Sequence, residues 1–193
     1  MSKRFAPVVR PHVPLSAWLL VLPALFATDA AAQTTWIGTT DSSWNEASNW
    51  DKGVPTSTES VVIAPATNQP STFTTNPVCL DLTIDVGATL MLSDGFDLTV
   101  GGSLTINGSL VVASSSSTIA VNGAVTVAAG GYFDIGTSTH TVGNNWDSSA
   151  ATAVVDGSGT IEFVNVWYGT TTTNLTTGAL PNAKVSSGGF FRW

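Results

Sequence analysis

The stretch LTVGGSLTI, residues 98–106, and the stretch IAVNGAVTV, residues 119–127, carry one pattern at an offset of 119 minus 98, or 21. Leu98 matches Ile119, Val100 matches Val121, Gly102 matches Gly123, Leu104 matches Val125 and Ile106 matches Val127. Within each copy apolar and small or polar residues alternate, which is the period of a strand with one buried face. The same spacing extends both ways along the chain. LTID at 82–85 aligns with LTIN at 104–107 at an offset of 22, and the run that starts at Thr141 lies 21 beyond the one that starts at Ala120, with Trp146 in the place of Val125.

Short strands recurring about every 21 residues, with Gly or Asn between them, are what a coil of a β-solenoid requires. Each coil stacks on the one before in parallel register, about 4.8 Å away, with its apolar side chains inward. Gly87, Gly95, Gly101-Gly102, Asn107-Gly108, Asn122-Gly123, Gly130-Gly131 and Gly136 are then corner residues, chosen for positive φ or tight curvature. Thr, Ser, Gly and Val are abundant, and after residue 33 no useful i, i+3, i+4, i+7 apolar stripe occurs, so essentially no helix is expected. The expected fold is all-β, a right-handed parallel β-solenoid with a Trp-rich N-terminal cap. The alternative is an antiparallel β-sandwich, because Asn107-Gly108 and Asn122-Gly123 also suit two-residue hairpins. Register separates the two: a solenoid pairs positions about 21 apart, whereas a hairpin would pair Ile106 with Ser109.

Upstream, Lys3, Arg4 and Arg10 precede an apolar run from Leu15 to Ala27 that ends at Ala30-Ala31-Ala32, the layout of a secretory signal peptide over residues 1–32. The run is too short for a membrane-spanning helix, and no later segment is apolar enough to be one. Export by a Sec-type route to the outside or the cell surface follows as an expectation. Cleavage after Ala32 leaves Lys52, Lys184 and Arg192 against twelve acids, so the net charge is 3 minus 12, or −9. Too few cations remain to hold a phosphate backbone, which argues against nucleic acid, and no polybasic patch exists for an anionic membrane. The one cysteine, Cys79, has no partner in the chain and reads as a small buried hydrophobe.

A solenoid exposes an apolar cross-section and unpaired strand edges at its first coil, and something must cover them. Trp36, Trp44 and Trp50 fall in a polar stretch just before the first recognisable coil. Bulky indoles can plug such an end while their N–H groups bond to the surrounding loop. The alternative is an exposed platform on which a sugar ring stacks, making these three tryptophans glycan contacts. The resulting organisation is residues 33–78 as cap and first strands, 79–166 as solenoid coils, and 167–193 as a Thr- and Gly-rich edge segment.

The order Trp36-Ile37-Gly38, then Trp44 to Trp50 with Asn49, then Gly53-Val54-Pro55, then Ser60-Val61-Val62-Ile63 resembles the opening unit of bacterial secreted β-strand-repeat proteins, a group that includes autotransporter passengers and adhesin-like surface proteins. Val142 to Trp146 followed by Gly157-Ser158-Gly159-Thr160-Ile161-Glu162-Phe163 is similar to a second segment recurring in that group. The resemblance implies parallel β-helix coils behind the opening unit and says almost nothing of activity. The chain reaches Phe190-Phe191-Arg192-Trp193 while still strand-like, so a fragment, a truncated gene or a short secreted relative is expected.

Catalytic chemistry finds little footing. With His12 in the leader, His140 stands alone; it takes the place of Ile119 in the repeat, which favours a structural role, and no G-x-S-x-G elbow accompanies it. One His and one Cys do not make a zinc site. Asp81, Asp85, Asp94, Asp97 and Asp134 are the carboxylates from which a polysaccharide-active enzyme could draw a pair. Asp beside Gly at a corner is more simply turn chemistry. The calcium-binding nonapeptide is absent, and the threonines of 169–177 are consecutive, whereas a flat threonine ladder needs them one coil apart. The expectation is a structural or adhesive surface protein with no catalytic, cofactor or metal residues, whose partners are extracellular glycans or a host or neighbouring cell surface.

Overall fold

The computed structural model of the protein describes residues 32–93, 95–148, 150–151, 153–155, 158–164 and 183–185. The chain enters on β1 (Gln33–Trp36), passes through one 3-10 turn at Ala47–Asn49, and reaches β2 (Ser60–Ile63). From there strands come in threes. β3 (Val78–Cys79), β4 (Leu82–Ile84) and β5 (Thr89–Leu92) make one coil, and β6 (Leu98–Val100), β7 (Leu104–Ile106) and β8 (Ser109–Val112) the next. β9 (Ile119–Val121), β10 (Val125–Val127) and β11 (Tyr132–Asp134) follow, then β12 (Thr139–Val142), β13 (Trp146–Asp147) and β14 (Ala153–Val155). β15 (Thr160–Phe163) and β16 (Ala183–Val185) complete the described strands.

Three parallel sheets run along the stack. The first is ordered β1-β2-β4-β7-β10-β13, the second β3-β6-β9-β12-β15-β16 and the third β5-β8-β11-β14. Leu98 pairs with Ile119 and Leu104 with Val125, each at a separation of 21, while Leu82 pairs with Leu104 at 22. Ile106 pairs across coils with Ile84 and Val127, not with Ser109, so the antiparallel sandwich is ruled out and the parallel β-solenoid stands. No α-helix occurs among the described residues.

Period-two alternation makes this stack possible, because each strand of three or four residues sends one set of side chains inward. Val61, Leu82, Leu104, Val125 and Trp146 form one unbroken interior column, and Cys79, Val100, Val121, Val142 and Phe163 form another. Enclosing each aliphatic side chain is worth about 1.5–3 kcal/mol. Lengthwise repetition supplies the core that a short strand cannot build alone.

Glycine acts at the corners in two distinct ways. Gly87, Gly95, Gly130 and Gly136 have positive φ, as turn chemistry requires. Gly123 does not; a Cβ there would lie 2.5 Å from the Gly102 carbonyl oxygen in the coil beneath. At that corner the absent side chain lets one coil settle onto the next.

Candidate functional site

The three tryptophans singled out by the sequence converge at the N-terminal end of the stack. Trp36 ends β1 and Trp50 follows the 3-10 turn; their rings meet edge to face at 5.0 Å. Trp44 meets Trp50 in the same manner at 4.8 Å and lies 6.2 Å from Phe73, which is 6.0 Å from Phe96. Edge-to-face contact places the positive rim of one ring against the negative face of another. An aromatic chain thus runs from the cap into the first coils.

Each of two indoles also has its polar tip satisfied by backbone. Trp36 Nε1 donates to the Asn68 carbonyl at 2.8 Å and Trp50 Nε1 to the Trp44 carbonyl at 2.7 Å. Trp36, Trp44 and Trp50 are 0, 1 and 3 % exposed. That burial overturns the alternative of Trp36, Trp44 and Trp50 as a glycan contact: an enclosed ring has no face on which a sugar can stack.

Around the indoles a polar loop is held by one buried amide. Asn49 Nδ2 donates to Asp41 Oδ1 at 2.8 Å and to the Ser43 carbonyl at 3.0 Å, while Asn49 Oδ1 accepts the Thr40 and Asp41 N–H groups at 2.9 and 3.2 Å. This uses both donors and both lone pairs of the amide, which is why Asn and not a smaller residue stands between the tryptophans. Asp51 accepts the Thr35 N–H at 2.6 Å and the Thr34 hydroxyl at 3.1 Å. The Thr35 bond foremost holds its carboxyl below the usual range, against the opposing effect of burial.

These bonds seal the outer edge of β1. The Ile37 N–H donates to the Asn49 carbonyl at 2.8 Å, the Asp51 N–H to the Thr35 carbonyl at 3.0 Å, and Trp36 and Trp50 form an antiparallel bridge. A parallel stack therefore ends against a strip of chain running the opposite way.

The remaining candidates serve the stack. Asp81 Oδ1 accepts the Ser103 N–H at 2.8 Å and its Oδ2 the Ser60 hydroxyl at 3.1 Å, clasping the coils on either side. Asp97 Oδ1 accepts the N–H and the hydroxyl of Thr118, both at 2.8 Å, and the Asp97 N–H donates to Asn76 Oδ1 at 3.1 Å. Asp134 Oδ1 takes the Gly136 N–H at 2.9 Å in a local turn, and Asp85 presents its backbone carbonyl to the Ala88 N–H. Asp94 and the Thr-rich run 169–177 lie outside the described residues, as do the segments 1–32 and 167–193 except for 32 and 183–185. Among the described residues no group of three His, Cys, Asp or Glu side chains is placed to hold a metal ion, and no helix is long and apolar enough to cross a membrane.

Cys79 is buried, and desolvation, reinforced by Asp81, pushes its thiol up to about 12. His140 is buried over Ile119, with Nδ1 accepting the Ile119 N–H at 3.0 Å and Nε2 lying 2.7 Å from the Ile135 carbonyl. Sequence reasoning missed one outward feature. Thr83, Thr105 and Thr126 are register partners on the first sheet, one coil apart, and form a short threonine row on the solvent side. The signal was present in the repeat as the Thr between two apolar residues of LTI, LTI and VTV.

No curated protein and no solved structure matches the chain. One family model does, over residues 35–145, a span that opens in β1 and closes just before β13 and so takes in the cap together with the coils stacked on it. Covering more than half of the 193 residues, that match places the chain in the family described as a domain of unknown function, DUF8693.

Proposed function

We propose that this chain is an exported structural or adhesive β-repeat protein, acting as a short rigid rod and not as an enzyme. The observation that carries the reading is where the chemically capable side chains go. The indoles close the end of the rod, the Asp81 and Asp97 carboxylates clasp neighbouring coils, and the cysteine and histidine are enclosed in the core. The basic, apolar, small-residue leader and the resemblance to secreted β-strand-repeat proteins support export to the cell surface. Contact with an extracellular glycan or a neighbouring cell would fall to the outward row Thr83, Thr105 and Thr126, whose hydroxyls are spaced by the coil repeat of about 4.8 Å.

The test has two parts. Expression from the full reading frame followed by N-terminal sequencing of the exported product gives Gln33 as the first residue; retention in the cytoplasm with Met1 intact overturns export. Binding of the purified product to a glycan array and to whole cells is lost in Thr105→Arg with the melting temperature unchanged. Turnover of a polysaccharide by the wild-type chain would reinstate the enzyme.

A further inference from the structure

We infer that His140 makes the coils from β9 onward acid-labile while the tryptophan-capped end stays closed, so that the rod carries a proton-triggered release between its two halves. One coil earlier, the Leu98 N–H donates to the Thr118 carbonyl at 2.9 Å, an ordinary rung of the parallel ladder. At the equivalent step the Ile119 N–H goes instead to His140 Nδ1 at 3.0 Å. A titratable nitrogen stands where the neighbouring coil uses a peptide oxygen.

Geometry fixes the protonation state. Nδ1 accepts from an N–H and so carries no proton, which leaves Nε2 to donate to the Ile135 carbonyl at 2.7 Å, since a neutral imidazole has one donor and one acceptor nitrogen. A proton added at Nδ1 would face the Ile119 N–H donor to donor, and that amide would be left buried without an acceptor. No compensation is at hand. The imidazole lines a void of about 10 Å³ together with Leu104, Val125, Phe133, Trp146 and Ile161. Such a volume is barely the room for one water.

The titratable groups on the packed elements all take outward positions. Tyr132 and Asp134 flank the buried Phe133 on β11, Asp147 is exposed on β13, and Glu162 lies between the buried Ile161 and Phe163 on β15; β7, β9 and β10 carry none. None lines the void around the ring, so the Ile135 carbonyl steadies an imidazolium without the help of any charged partner there.

Burial foremost lowers the pKa of His140 from its ordinary 6.5, against the raising effect of the Ile135 bond. The unfolded chain therefore binds the proton first. Stability is full above about 6.5 and falls as the pH drops through that value toward the folded pKa. The cap does not share this window, because Glu46 and Asp51 have carboxyls held below their ordinary values.

The experiment is hydrogen exchange on the exported chain at about pH 7.5 and about pH 5, each rate divided by that of an unstructured chain at the same pH. Protection of amides in 119–163 falls by up to about 30-fold, tenfold for each unit by which the pH drops below 6.5 until the folded pKa is reached, while amides in 33–75 keep theirs. His140→Asn, which offers an Oδ1 acceptor near the place of Nδ1 and cannot titrate in this range, removes the difference. Should that variant fail to fold, the imidazole of the wild type is followed by NMR. A neutral Nε2–H ring that charges only as the coils open supports the release. Titration near 6.5 within coils that stay protected, or equal loss of protection in both halves, overturns it.

Discussion

Trp44 shows how far a single side chain reaches. Its ring touches Trp50 on one side and Phe73 on the other, so truncation would leave a void joining the cap to the first coils. Trp44→Ala is expected to destabilise the cap and the coils stacked directly on it by about 3–5 kcal/mol, read from denaturant midpoints. Cys79 gives a second test at this scale. Enclosed and held as a neutral thiol, it should label with a maleimide at neutral pH only at the rate of unfolding, and rapidly once denatured. Both residues were legible in the sequence, since a run of indoles before an apolar repeat and a lone cysteine in an aliphatic register each have a simple packing reason. Asn49 was visible as part of a motif but not as its keystone. Its role depends on Thr40, Asp41 and Ser43 closing around one amide, a loop geometry that period and composition do not encode.

Among the elements, strands of three or four residues were readable where alternation and offset agreed: Leu98 with Ile119, Leu104 with Val125 and Leu82 with Leu104 took the register read from the repeat, whereas on the third sheet Leu90 pairs with Leu110 at a separation of 20. Corners were read less well, because a glycine letter does not distinguish a positive φ from a missing Cβ. Gly123 is the sharper case for experiment. A methyl group placed against the Gly102 carbonyl forces two coils apart, so Gly123→Ala should cost about 1–3 kcal/mol in a urea melt. At Gly130, an added Cβ meets nothing within 4 Å, so the same change acts there through backbone conformation alone. Thr83, Thr105 and Thr126 belong to this scale too: each threonine looks ordinary in its own strand, and the row exists only once strands are stacked.

Seen whole, the molecule is a stack whose stability grows coil by coil and whose first coil is closed by the chain itself. Deleting residues 33–58 uncovers the interior columns at Val61 and Ile63 together with the edge of β2. That truncated chain should associate at micromolar concentration, seen as a rise in mass by light scattering, whereas the capped chain holds its mass. The antiparallel strip that lies along β1 has a directional meaning as well. Parallel β-stacks are self-templating, and a bare leading strand invites the next molecule to dock in register; here that invitation is withdrawn at the tryptophan-bearing tip. Any array of such rods must therefore treat this tip as a chain stopper, an inert prow that meets its surroundings by side chains and never by strand pairing.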